Sequence, residues 1–142
     1  MDKPAELLSS MQAFNRTAAL NAYYGIEIVQ VEPGVAQLSM PWRPEAGQYH
    51  GYLHAALIGG LIDTACGCAA GSLAGPVMAS HFSVNCLRPA VGERFVAEAR
   101  VVKAGRSVVF TTAELYAETG DKRTLVATGD TLLNVIAAPA TA

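Results

Sequence analysis

The chain has 142 residues, 51% of them hydrophobic and only 15% charged, which is ample for one well-filled domain spanning residues 1–142. So little charge, with a mean hydropathy of +0.28, implies that part of the apolar surface is covered by a second subunit. Ten Lys and Arg against twelve Asp and Glu leave a net charge of −2 and form no basic run, which argues against nucleic acid as a partner.

The chain opens Met1-Asp2-Lys3-Pro4-Ala5-Glu6, without the basic region and unbroken apolar stretch of a signal peptide. Leu7, Leu8, Met11, Phe14 and Ala18 then recur at helical spacing and predict an amphipathic first helix. Two strands, Ile26 to Glu32 and Val35 to Pro41, are joined by Pro33-Gly34, where proline presets the turn and glycine accepts positive φ. Ala55 to Gly71 follows, rich in Ala, Gly, Leu and Ile, without β-alternation and long enough for a helix of four to five turns. It is apolar nearly all round, so protein should enclose it, and Ala55, Ala56, Gly59, Gly60, Gly67 and Ala70 would let a curled sheet approach its backbone. A membrane span is not expected, because Asp63 lies at the centre and no Lys or Arg anchors flank the segment.

Beyond residue 76 a period of two dominates, in Val77 to Leu87, Phe95 to Val101, Val108 to Ala117 and Leu125 to Val135. Pro89-Ala90-Val91-Gly92, Ala104-Gly105-Arg106 and Thr119-Gly120-Asp121-Lys122 read as hairpin connections, which predicts a meander of antiparallel strands. Ala137 to Ala142 read as a frayed tail. The three cysteines are an odd number, and Cys66 and Cys68 bracket a single glycine, too close for an ordinary disulfide or a C-x-x-C metal spacing. A reducing cytoplasm fits that usage best.

Between Ala46 and Leu87 the only formally charged residue is Asp63. Burying a carboxylate without compensation costs several kcal/mol, so stability does not ask for it. Desolvation raises its pKa, which suits a group that takes a proton from water or attacks a carbonyl near neutral pH. The plainer alternative is a carboxylate satisfied by a buried donor.

Upstream, Gly47-Gln48-Tyr49-His50-Gly51-Tyr52-Leu53-His54 packs an amide and two imidazoles into the loop that feeds the helix. A helix starting near Ala55 presents unpaired N–H groups at its positive end, ready to hold a developing oxyanion. Asp63 lies some two and a half turns further on, roughly 13 Å by helical rise, so one helix cannot easily bring both groups to one atom. A site shared across a two-fold dimer would. His54, beside the helix start, is the stronger histidine candidate, with capping as its plainer role. Gln48 has an amide to donate to a substrate carbonyl, or is simply exposed. His50, His54 and His81 make a poor zinc set, so no metal is expected. No G-x-S-x-G elbow occurs, and Gly59-Gly60 and Gly67 to Gly71 mark packing rather than a phosphate loop.

The order Gln48, Gly51, His54, Asp63 resembles the active-site segment of hotdog-fold acyl-CoA thioesterases, more specifically the phenylacetate-pathway and hydroxybenzoyl-CoA type. Asn85-Cys86-Leu87-Arg88-Pro89-Ala90-Val91-Gly92, Val101 to Arg106 and Leu125 to Gly129 are similar to that family's strand and turn signatures, so that the resemblance covers roughly residues 20 to 135. It implies an α+β hotdog fold, a curved antiparallel sheet of about five to six strands wrapped around one central helix, with an additional N-terminal helix. It implies hydrolysis of an acyl-CoA to the free acid and coenzyme A, with coenzyme A as part of the substrate and no cofactor. Asp63 would be the nucleophile or general base, Gln48 the residue orienting water or thioester, the Ala55 N–H the carbonyl polariser, and His54 a brace for the loop. The family's His-Gly-Gly is His54-Ala55-Ala56 here; the N–H survives, but the methyls narrow the approach and require ordinary φ and ψ. A further family site, often Ser or Thr, falls near Ala79 or Ser80. The phosphates of coenzyme A would meet Arg106 after Gly105, with Arg88 and Lys103 as weaker candidates, and Tyr23, Tyr24, Trp42 and Phe82 would line an acyl pocket. Such proteins are dimers or dimers of dimers. Two rivals stand beside this reading: a dehydratase or hydratase acting on acyl thioesters, and a non-catalytic acyl-CoA-binding module.

Overall fold

A computed structural model describes residues 2–136. In chain order the elements are α1 (Lys3–Asn15), α2 (Ala19–Tyr24), β1 (Glu27–Glu32), β2 (Val35–Pro41), a single 3-10 turn (Pro44–Ala46), α3 (Ala55–Ala74), β3 (Val77–Cys86), β4 (Arg94–Ala104), β5 (Val108–Thr119) and β6 (Lys122–Val135). The six strands form one antiparallel sheet in the order β1-β2-β4-β5-β6-β3, curled around α3 in the hotdog arrangement. The predicted tail, Ala137 to Ala142, lies outside the described residues.

The helical pattern from Leu7 to Ala18 does not give one helix. Leu7, Leu8 and Met11 pack on the core, whereas Phe14 is 77% exposed. Asn15 holds the inward position instead, donating from Nδ2 to the Ile26 carbonyl at 2.8 Å and accepting from Asn21 Nδ2 at 2.9 Å. Next to it Thr17 Oγ1 donates to the Phe14 carbonyl at 2.7 Å. Such local bonding competes with helical continuation, so α1 stops and Ala18 caps α2.

At the β1–β2 turn Gly34 has φ +84°, as the Pro33-Gly34 pair predicts. The connections after β4 and β5 are hairpins. The stretch Pro89 to Gly92 is not. It follows β3, which pairs only with β6 at the far edge, and returns the chain to β4 beside β2. Since α3 has already carried the chain across the sheet, β3 lands on the edge opposite β1 and the next connection must cross back.

Helix α3 runs three residues past the predicted end and stops at Gly75, whose φ of +76° only glycine adopts freely. Leu57, Ile58, Leu61, Ile62, Ala65, Cys66, Ala69 and Ala70 are buried against the sheet, each large side chain contributing about 1.5–3 kcal/mol. The helix has the length and hydropathy of a membrane span, but half of that stretch is buried inside the protein. The expectation that protein encloses it on all sides fails within one chain. Gly60, Asp63, Thr64, Gly67, Cys68 and Gly71, which recur at helical spacing, form a stripe that is only half-buried. Nor do its small residues all serve close packing. A Cβ at Gly59 would lie 3.3 Å from Phe82 Cε2, while one at Gly60 or Gly71 would meet nothing within 4 Å. The tightest approach uses a glycine of the sheet: a Cβ at Gly129 would fall 2.6 Å from the Ser83 carbonyl oxygen and 2.8 Å from Ile62 Cγ2.

Candidate active site

The loop before α3 is braced at both ends. Gly47 and Leu53 form an isolated antiparallel bridge, and Gln48 N–H donates to the Tyr52 carbonyl at 2.8 Å. At its tip Gly51 has φ +80° and donates to the Gln48 carbonyl at 3.1 Å. Leu53 N–H reaches the Ala90 carbonyl at 3.1 Å, and His54 N–H the Ala46 carbonyl at 2.9 Å, tying the loop to both neighbouring connections. The Gln48 side-chain carbonyl accepts from His50 N–H. Its NH2 has no partner among the described residues and remains available as a donor.

His54 is the N-cap of α3, its Nδ1 accepting from Ala56 N–H at 2.9 Å. Its carbonyl takes the N–H groups of Leu57 and Ile58, at 2.9 and 3.1 Å. Of the four N–H groups in the first turn, three are therefore satisfied. The fourth, on Ala55, has no partner among the described residues. Ala55 and Ala56 sit in the helix with φ below zero, so the N–H is presented without strain.

Asp63 lies on the half-buried stripe of α3. Its Oδ1 is buried and has no hydrogen-bond partner among the described residues, and burial pushes the carboxyl above the usual carboxylate range. The alternative of a carboxylate clamped by an internal donor is thus not met at that oxygen among the described residues. Asp63 lies eight positions beyond Ala55, about 12 Å along the axis, so one copy does not bring the acid and the N–H together.

A cleft of about 250 Å³ opens between α2 and the first turn of α3, lined in part by Leu20, Tyr24, Glu45, His54, Ala56 and Leu57. Of the aromatics named for an acyl pocket only Tyr24 lines it. Tyr23 points to solvent at 58% exposure, Trp42 stacks edge-on against Phe95, and Phe82 covers Gly59 from β3. Leu20 and Glu45 carried no signal in the sequence, because a six-residue helix and a single 3-10 turn are too short to show a period.

The basic candidates split. Arg88 is exposed in the connection that Leu53 anchors, at the same end as Ala55. Lys103, Gly105 and Arg106 lie at the β4–β5 turn, on the side of the β1–β2 turn: Val101 N–H donates to the Gly34 carbonyl, and Gly34 N–H to Ser72 Oγ near the end of α3. Within one chain they stand close to the whole length of the 20-residue helix away, about 30 Å, so they do not join the Ala55 end. A Cβ at Gly105 would lie 2.8 Å from the Val108 carbonyl oxygen, which ties this glycine to the hairpin itself. Ser80 sits at a β-bulge of β3 and donates to the Leu132 carbonyl at 3.3 Å, and His81 beside it is exposed. Cys66 is buried, Cys68 half-buried and Cys86 exposed, all as free thiols; burial holds the Cys68 thiol up at about 11.

The family model described as Thioesterase superfamily matches residues 50–124. A thioesterase family protein from Silicibacter pomeroyi is 36% identical, with a TM-score of 0.84 over 92% of this chain and 96% of that one. The PaaI protein of the E. coli phenylacetic acid degradation operon shares the fold at 21% identity, with a TM-score of 0.85 over 96% and 97% of the two chains. A thioesterase from Haemophilus influenzae does so at 21% identity and a TM-score of 0.80, over 91% and 90%. The sequence search against curated proteins found no match.

Proposed function

The chain belongs to the thioesterase superfamily, whose members hydrolyse thioesters, and from that premise we propose that it cleaves acyl-CoA to the free acid and coenzyme A at a site completed by a second copy. The observation that carries the reading is the half-buried Asp63 carboxylate, whose Oδ1 is buried without a hydrogen-bond partner among the described residues. A pure binding module has no use for that cost. Dehydration or hydration would want a histidine facing the carboxylate, and His54 already commits Nδ1 to the helix cap.

An antiparallel two-fold crossing α3 near Gly59, midway between Ala55 and Asp63, sets the Ala55 N–H of one copy opposite Asp63 of the other. β3 supplies the means: it is a ten-residue edge strand with Met78 and Phe82 exposed, the kind of edge a partner covers. The same operation brings the far end of the second copy's α3, and with it the Lys103 to Arg106 turn, about 16 Å beyond Asp63 on the side of the first copy's Ala55. That is where the phosphates of an extended coenzyme A arm would run.

The thioester carbonyl rests on the Ala55 N–H, and Gln48 positions water or the carbonyl from the loop. Asp63 of the other copy takes a proton from water as it attacks and returns it to the departing sulfur, or attacks the carbonyl itself to form an acyl anhydride that water then hydrolyses. In either course the C–S bond breaks and coenzyme A leaves as the thiol, its proton drawn from that water. Low solvation favours the step, because burial raises the carboxyl's pKa and so makes the carboxylate the stronger base. The test is thiol release under single-turnover conditions across short aliphatic, aryl and long-chain CoA thioesters. The parent releases thiol and Asp63→Asn, equal in shape but not basic, falls by about 10²–10⁴-fold; an unchanged rate refutes the assignment.

A further inference from the structure

A single hydroxyl joins the far end of α3 to the β1–β2 turn. Ser72 Oγ donates to the Ala69 carbonyl, three residues back, at 2.7 Å and accepts from Gly34 N–H at 2.8 Å. We infer that Ser72 is a positioning residue for coenzyme A: acting through Gly34, it holds the Lys103 to Arg106 turn at a fixed place relative to Asp63, and so sets the grip on the phosphates without touching them. The inference rests on the acyl-CoA reading above and on the place given there to the turn.

The turn needs holding because the sheet does not reach it on both sides. Pairing of β2 with β4 ends at Val35 and Arg100. Beyond them the β4–β5 hairpin projects past β2, with a bulge between Val101 and Lys103 and with Val102, Lys103, Arg106 and Ser107 exposed. On the β6 side Val135 N–H donates to the Ser107 carbonyl at 2.9 Å. On the β2 side the last tie among the described residues is Val101 N–H to the Gly34 carbonyl, at 2.8 Å. That tie is only as firm as Gly34, a turn residue with φ +84°, and Gly34 is made firm by the bond to Ser72. The two elements are in close approach there, since a Cβ at Gly34 would lie 3.1 Å from Leu73 Cδ1.

The helix then acts as a ruler. Ser72 lies nine positions beyond Asp63 on α3, about 14 Å along the axis. In the two-fold arrangement proposed above, Asp63 and the basic turn of one copy serve the same site, so this rigid spacing sets the span between the reacting carbonyl and the phosphates. Removing the hydroxyl leaves Gly34 N–H without its acceptor and frees the turn to drift along the coenzyme A arm. Threonine keeps the hydroxyl, and in a helix it makes the same bond to a carbonyl three or four residues back.

The experiment measures kcat and KM for the fastest acyl-CoA of the thiol-release series and for the matching acyl-pantetheine, which lacks the nucleotide and its phosphates. The proteins are the parent, Ser72→Ala, Ser72→Thr, Arg106→Ala and the double variant Ser72→Ala with Arg106→Ala, each checked by thermal melting. The phosphates do not react, so the loss falls on KM: in Ser72→Ala the acyl-CoA KM rises about three- to tenfold while kcat stays within about twofold. The acyl-pantetheine KM does not move, and Ser72→Thr behaves as the parent. Because Ser72 acts through the turn, its effect shrinks to less than about twofold once Arg106 is gone. A rise shared by acyl-pantetheine, a loss confined to kcat, an Arg106→Ala variant with the parent's KM, or full multiplication of the two effects overturns the inference. The dissociation constants of an S-butyl-CoA thioether and its pantetheine counterpart give the same comparison without turnover. A parent that binds the thioether, with Ser72→Ala binding it equally well, overturns the inference alone. A parent that neither turns over acyl-CoA nor binds the thioether refutes the acyl-CoA reading and the inference with it.

Discussion

Replacing Ala55 by proline deletes one atom group and nothing else that the fold uses. Ala55 is the first residue of α3, where proline is well tolerated because the N–H has no intrahelical partner. His54, which would precede the proline, has φ −66° and ψ 139°, the extended conformation that a residue before proline prefers. The cap from Ala56 N–H to His54 Nδ1 and the two bonds to the His54 carbonyl are left in place. What goes is the unclaimed N–H. If it polarises the thioester carbonyl, its loss costs about 10²–10³ in kcat, or roughly 2.7–4 kcal/mol of transition-state stabilisation. The assay is thiol release at saturating acyl-CoA, with thermal melting of the same samples as a control. Activity within threefold of the parent, at an unchanged melting temperature, would refute the oxyanion assignment.

Asp63→Asn should raise the melting temperature at neutral pH by a degree or two, because it removes a charge that burial disfavours, worth about 1 kcal/mol or less once its half-exposure is allowed for. The folded carboxyl binds its proton more tightly than the unfolded one, so this gain is full above the raised value and fades as pH falls toward the ordinary one; a gain independent of pH would refute it. His54→Asn, which keeps a capping acceptor, should preserve both melting and rate, whereas His54→Ala should lose about 1 kcal/mol of stability; an inactive but stable His54→Asn would give the histidine a direct chemical role. Gly129→Ala should destabilise by about 1–3 kcal/mol in thermal melts, since the new methyl meets the Ser83 carbonyl at 2.6 Å, and an unchanged melt would show that β3 yields freely.

The parts legible from the residues were those fixed by local pattern. Alternation marked the strands, Pro33-Gly34 marked the turn, and a run of small apolar residues marked α3. Asp63 stood out by contrast, because a charge among so many apolar neighbours has no packing reason to be there. Periodicity does not say which edges meet, so the stretch Pro89 to Gly92 looked like a hairpin and is a crossover. It also weighs only apolar residues, and the inward amide of Asn15 ended a helix that the pattern continued. The Lys103 to Arg106 turn was placed by its resemblance to family signatures, but its distance from Ala55 depends on which end of the sheet the β4–β5 turn occupies.

A site divided between copies makes a stronger demand than loss of activity in single variants. In an antiparallel two-fold dimer each of the two sites takes Ala55 from one copy and Asp63 from the other. Ala55→Pro spoils the N–H of its own half-site, and Asp63→Asn spoils the acid of the opposite one. A mixed dimer of the two variants therefore contains one doubly defective site and one intact site. Random pairing of equal amounts gives half mixed dimers with one working site of two, or about a quarter of the parent's specific activity from two inactive proteins. Co-expression with different tags and isolation of the doubly tagged species raises that to about a half. If both groups belonged to one copy's site, no mixture would exceed the sum of its parts, and a doubly tagged dimer without activity would refute the shared site even if each single variant behaved as expected.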